Sequence, residues 1–144
     1  MSFGGLFFRG IILIMKGRSF KNIAIKTRKA FEAKRIDKSI LRKLYTQYHP
    51  VKNIKVFMNR ATDLFPNLNC GVASVYLKHV LGKGSIVNGN YSNNNHTFLL
   101  LNKKTIIDIT ADQYGGPKVY VGPLKNPWGL RDLRKLKKKS LVRA

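Results

Sequence analysis

The chain has 144 residues, 44% of them apolar, and carries 28 Lys and Arg against 6 Asp and Glu, a net charge of +22. That length suits one domain, 1–144, with a real core, and that apolar content excludes a disordered chain. The charge predicts attraction to polyanions and acidic surfaces and says nothing about fold. A single cysteine excludes an internal disulfide. With only three histidines, at 49, 79 and 96, it makes no obvious zinc site, so neither metal nor cofactor is expected.

Residues 3–15 form the first apolar block. From Leu6 to Met15 it is ten residues long and broken by Arg9 and Gly10, against the ~20 that a spanning helix needs. No basic leader precedes it and no small-residue cleavage site follows, so neither a transmembrane segment nor a secretory signal is expected. It reads as a core strand or docked terminal segment, with a weak membrane-surface anchor as the alternative. A cytoplasmic location is expected, or delivery into a target cell if the protein is an effector.

Residues 1–50 read as a basic helical region. Between Lys16 and Lys43 lie eleven basic residues and two acids, Glu32 and Asp37. Apolar positions recur at helical spacing, Phe20, Ile23, Thr27 and Phe31, then Ile36, Ile40, Leu44 and Tyr48. This predicts two amphipathic helices, the second capped by Asp37 and ended by His49-Pro50. Lys26, Arg28, Lys29, Lys34 and Arg35 are candidate anion-binding residues, or else a solvated face. Residues 51–66 fit a short strand over Val51–Met58 or a helix running to Leu64, stopped in either case by Pro66. Asn88–Asn95, with four asparagines after Gly89, reads as a polar loop.

After Asn69, the positions Val72, Ala73, Tyr76, Leu77, Val80 and Leu81 mark one face of a helix, and Gly82 stands where a left-handed C-terminal residue is wanted. Asn67 or Asn69 can accept from the free amides at its start. Cys70 then sits in the first turn, where unpaired N–H groups and the helix dipole lower a thiol pKa. The competing reading is a small buried apolar residue. His96–Leu101 and Thr105–Ile109 are β-prone runs that predict an antiparallel hairpin. A two-residue turn would place Asp108 on the face opposite His96. A three-residue loop, 102–104, pairs 98 with 108 and sets Asp108 diagonal to His96, at roughly 5.5–8 Å between backbones. A carboxylate inside an apolar strand is costly unless paired, and His96 is its most available partner. His79 faces elsewhere on the helix of Cys70, and His49 lies in a linker. Asp112 is the fallback orienter.

The pattern Asn69-Cys70-Gly71-Val72-Ala73, Leu81-Gly82, Val87-x-Gly89-x-Tyr91, His96-x-Phe98 and Ile107-Asp108 through Gln113-Tyr114 resembles the papain-like and transglutaminase-like cysteine superfamily. The likeness spans about residues 67–121. It implies Cys70 as nucleophile, His96 as base and Asp108 as orienter, within a catalytic core at 67–123. It implies acyl transfer from a protein or peptide amide: peptidase, amidase, deamidase or transglutaminase chemistry. The oxyanion-hole Gln that papain-type enzymes place six residues before the cysteine is Leu64 here, leaving Asn67, Asn69 and Gln113 as candidates.

Lys118–Val121 is a further candidate strand. Residues 130–144 form a basic tail with seven Lys and Arg and one acid, Asp132. Arg134, Lys135, Lys137, Lys138 and Lys139 are its candidate anion-binding residues. Trp128 reads as core or lid packing rather than a platform for a base. The fold expected is α+β, with the Cys70 helix packed on a small antiparallel sheet of three to five strands. Beside the enzyme stand two other readings: a non-catalytic basic binder of nucleic acid or another anionic surface, and an effector that deamidates a host protein.

Overall fold

A computed structural model describes residues 20–131. The apolar block of residues 3–15 and the tail residues Arg134, Lys135, Lys137, Lys138 and Lys139 lie outside them. The described chain is α+β, with four α-helices followed by one five-stranded antiparallel sheet. None of these helices is long and apolar enough to cross a membrane.

Helix α1 (residues 20–32) buries Ala24, Thr27, Arg28 and Phe31. Phe31 stacks on Phe65, with ring centroids 5.4 Å apart, and meets Tyr76 edge-on. Helix α2 (Lys38–Tyr48) begins at Asp37, whose carboxylate accepts the Ser39 N–H at 2.7 Å, the predicted cap. Its inward face differs from the predicted stripe. Leu41 is buried and Tyr45 packs against the core, while Ile40 is 46% exposed. The 3.6-residue period permits either stripe, and the partner surface selects the one with Leu41 and Tyr45. Residues 51–66 resolve as helix α3 (Ile54–Asp63), which buries Met58 and Ala61.

Helix α4 (Cys70–Leu81) buries Val72, Ala73, Ser74, Val75 and Leu77 against the sheet and the other helices, and ends at left-handed Gly82 as expected. Val80, predicted inward, is 43% exposed. Asn69 occupies the cap position without capping. Its Nδ2 instead donates to the Ala61 carbonyl at 2.8 Å, tying the start of α4 to α3.

The strands are β1 (Ser85–Tyr91), β2 (Asn94–Leu100), β3 (Thr105–Asp108), β4 (Tyr120–Pro123) and β5 (Trp128–Gly129), in sheet order β4-β3-β2-β1-β5. The asparagine-rich run is thus not a loop. It forms the paired ends of β1 and β2 around a tight turn at Ser92-Asn93, Ser92 taking φ +52°. Polar side chains there sit on an exposed end of the ladder, which composition alone reads as loop. Between β2 and β3 the register pairs Leu99 with Ile107 and Leu100 with Ile106, and the Leu101 N–H bonds the Thr105 carbonyl. This is the register of the three-residue connection 102–104.

Alternation along β2 divides two cores. Leu99 packs with Ile107 and the helices, whereas Phe98 and Leu100 face Ile106, Tyr91 and Trp128. The sheet curls so far that Tyr120, on one edge strand, stacks on Trp128 of the other, with centroids 4.0 Å apart. Close approach of β5 to β1 requires Gly89, since a Cβ there would stand 2.3 Å from the Gly129 carbonyl oxygen. Gly89→Ala therefore displaces β5 and the sole tryptophan with it. We expect a loss of about 1–3 kcal/mol in urea unfolding and a red-shifted Trp128 emission; an unchanged spectrum and stability would refute that packing constraint.

Candidate active site

Strand pairing brings His96 and Asp108 onto one face, and their side chains are 0% and 1% exposed. His96 Nε2 donates to Asp108 Oδ2 at 2.6 Å. The same oxygen accepts the Trp128 indole N–H at 2.7 Å, and Oδ1 accepts the Thr110 backbone N–H at 2.9 Å. A buried carboxylate is tolerable when its lone pairs are filled in this way. Tyr114 meets the imidazole edge-on at 5.3 Å and fixes its own hydroxyl on the Asn95 carbonyl. Tyr91 and Phe98 lie on the other sides of the ring.

With Nε2 committed, Nδ1 is the nitrogen left over, buried and without a hydrogen-bond partner. Its neighbour is Cys70, at the head of α4. Burial pushes the thiol pKa up. The polar His96 ring beside it, the Thr97 backbone N–H, the charge on His96 and the Thr97 hydroxyl outweigh burial, leaving it below the ordinary thiol value. Burial pulls His96 down, but the hydrogen bond to Asp108, the nearby Cys70 sulfur and the charges on both raise it to about 9. Sulfur and ring are thus coupled through proximity and charge, while Nδ1 itself makes no hydrogen bond. Both shifts act in the direction of a thiolate–imidazolium pair.

The remaining candidates fall elsewhere. Asp112 does not orient His96. Both of its oxygens are taken by Arg28, at 2.6 and 2.8 Å. Arg28 in turn is not a surface anion-binding residue. It is 5% exposed, donates to the Ile109 carbonyl, and lies over the Phe65 ring. Desolvation opposes its charge, but hydrogen bonding and attraction to Asp112 hold its pKa above the usual value. Lys26, Lys29, Lys34 and Arg35 are exposed, with Lys34 3.6 Å from Asp63. Of the oxyanion candidates, Gln113 Nε2 donates to the Thr110 carbonyl, Asn69 Nδ2 is held by Ala61, and Asn67 is exposed on a turn.

Thr97, Trp128, Tyr114 and Tyr45 escaped the sequence reading as neighbours of the site. Tyr114 rises in pKa through burial and then the charges of Cys70 and Asp108; Tyr45 rises through burial, then Tyr48 and Cys70. For Trp128 the one available signal was the indole itself, a donor that seeks a partner when buried. Among the described residues no group of three or more His, Cys, Asp or Glu side chains could hold a metal ion. No family model, curated protein or solved structure matches this chain.

The paired shifts make a stability prediction. Raised His96 stabilises the fold fully below its unfolded pKa of ~6.5, an effect lost as pH rises through about 9. Lowered Cys70 acts oppositely, stabilising above its unfolded pKa of ~8.5 and losing that contribution as pH falls through its folded value. Just below the unfolded thiol value of ~8.5 the two slopes oppose each other. In Cys70→Ala the thiol's opposing slope is gone, and the histidine keeps the part of its rise that Asp108 supplies. Thermal melts across this window should therefore show stability falling with pH more steeply in Cys70→Ala than in wild type. Parallel curves would mean that the two groups are not coupled.

Proposed function

We propose that the protein is a cysteine-dependent acyl-transfer enzyme in which Cys70 is the nucleophile, His96 the proton carrier and Asp108 the orienter. The observation that carries this reading is the hydrogen-bonded run Trp128–Asp108–His96, which ends beside Cys70, a thiol of lowered pKa on a helix start. A merely structural cysteine has no need of a buried, hydrogen-bonded histidine beside it. The papain-like and transglutaminase-like core is part of the proposal, supported by the α+β layout and by the order Cys, His, Asp along the chain.

The Cys70 thiolate attacks an amide carbonyl, His96 Nδ1 delivers its proton to the departing amine, and water or a second amine resolves the thioester. Asp108 keeps the ring in the orientation that points Nδ1 at sulfur and stabilises its charged form, with Trp128 and Thr110 holding the carboxylate still. The Cys70 backbone N–H, free in the first turn of α4, is the donor nearest to hand for the developing oxyanion.

The test is turnover of unstructured peptides rich in Gln and Asn, with and without hydroxylamine as acceptor, read by mass spectrometry. Cleavage, deamidation or hydroxamate formation should be abolished in Cys70→Ala and lowered about 10²–10⁴-fold in His96→Ala. Activity that survives Cys70→Ala would overturn the assignment. Absence of turnover together with salt-sensitive nucleic-acid binding indifferent to Cys70→Ala would favour the basic binder instead.

A further inference from the structure

Cys70 lines a cleft of about 320 Å³. Thr97 of β2 and Asn88 of β1 line it on one side, with His49 at the end of α2. The ring-bearing and apolar walls come from α2, α3 and the turn before α4: Tyr45, Tyr48, Phe57 and Leu68. Tyr45 and Phe57 stack at 5.0 Å with their planes 29° apart, and Tyr48 meets Tyr45 edge-on. A Cβ on Gly71 would lie 3.2 Å from the Tyr45 ring, so glycine directly after the cysteine lets this ring reach the first turn of α4.

Two further observations point to an occupant. Leu68 is 50% exposed and takes φ +60°, a left-handed conformation that costs a bulky residue energy. Strain of this kind, two residues before the candidate nucleophile, holds a half-exposed apolar side chain in the wall of the cleft. The cleft also lacks any carboxylate. Among the described acids, Glu32 and Asp112 pair with Arg28, Asp37 caps α2, Asp63 lies beside Lys34, and Asp108 holds His96.

We infer that this cleft is the acyl-side subsite and that it selects substrates carrying an aromatic group next to the carbonyl that Cys70 attacks. The inference rests on the acyl-transfer reading and narrows it. The volume lies at the lower end of ligand pockets, roughly 300–1,000 Å³, which suits one ring and not a long chain. Stacked and edge-on ring faces reward a flat partner beyond simple burial. A cationic acyl group finds no counter-charge among the walls.

The test uses the full chain and 4-nitrophenyl esters of phenylacetic, acetic, octanoic and 4-aminobutyric acids. Sγ–C bond formation at Cys70 expels 4-nitrophenolate with the C–O electron pair, and each rate is divided by that of free cysteine with the same ester. Iodoacetamide alkylation of Cys70 is measured alongside. Phenylacetyl should exceed acetyl by at least about tenfold and should also exceed octanoyl and 4-aminobutyryl. That preference should fall toward unity in Leu68→Ala and Tyr48→Ala while alkylation stays fast; exposed Leu68 tests the point without threatening the fold. Fast alkylation with no phenylacetyl preference, or with octanoyl favoured, would overturn the subsite and leave the nucleophile standing. Slow alkylation at every pH would overturn the acyl-transfer reading itself, and the subsite with it.

Discussion

The Asp108 carboxylate is a charge held where almost no water reaches it, and the arrangement of the sheet follows from satisfying it. Three of its hydrogen bonds arrive from three directions in the chain: His96 on the neighbouring strand, Trp128 on the far edge strand, and the Thr110 backbone two residues on. For the indole to arrive, β5 must lie against β1, which Gly89 allows, and the sheet must curl until its edges meet at Tyr120 and Trp128. Removing one partner of such a buried charge typically costs about 3–5 kcal/mol. The same interaction thus closes the second core and fixes the imidazole.

The helical layer is organised around a different buried charge. Arg28 reaches from α1 to both oxygens of Asp112 and to the Ile109 carbonyl, just beyond β3. It clamps α1 to the segment that follows Asp108, so the helices and the sheet meet on either side of the same short stretch. Asn69 performs a lesser version of this task by holding the start of α4 to α3 through Ala61. Cys70 is therefore positioned by α3 and α4, His96 by the sheet, and the two are brought together by packing between layers.

Much of this was legible along the chain because it depends on local periodicity. The Asp37 cap, the Gly82 terminus and the extent of α4 all follow from residues close in sequence, whereas the connection between β2 and β3 stayed open between two and three residues until the register was seen. Register mattered most, since it alone decides whether Asp108 shares a face with His96. What was not legible depends on partners far away. Arg28 counts as one of 28 cations in any composition, and only the folded chain shows it spent on Asp112, 84 residues later. Trp128 is 20 residues from Asp108 with no pattern linking them. The choice between Ile40 and Leu41 as the inward face of α2 belonged to the surface it meets.

The central claim is that His96 and Cys70 form an ion pair, and it is tested most directly by the pH dependence of Cys70 alkylation in wild type and in His96→Ala. An ion pair gives rapid alkylation at neutral pH with an apparent pKa below the free value of ~8.5, moving up toward or past that value in His96→Ala. A thiol equally slow in both proteins, titrating at or above the free value, would contradict it and make Cys70 a packing residue.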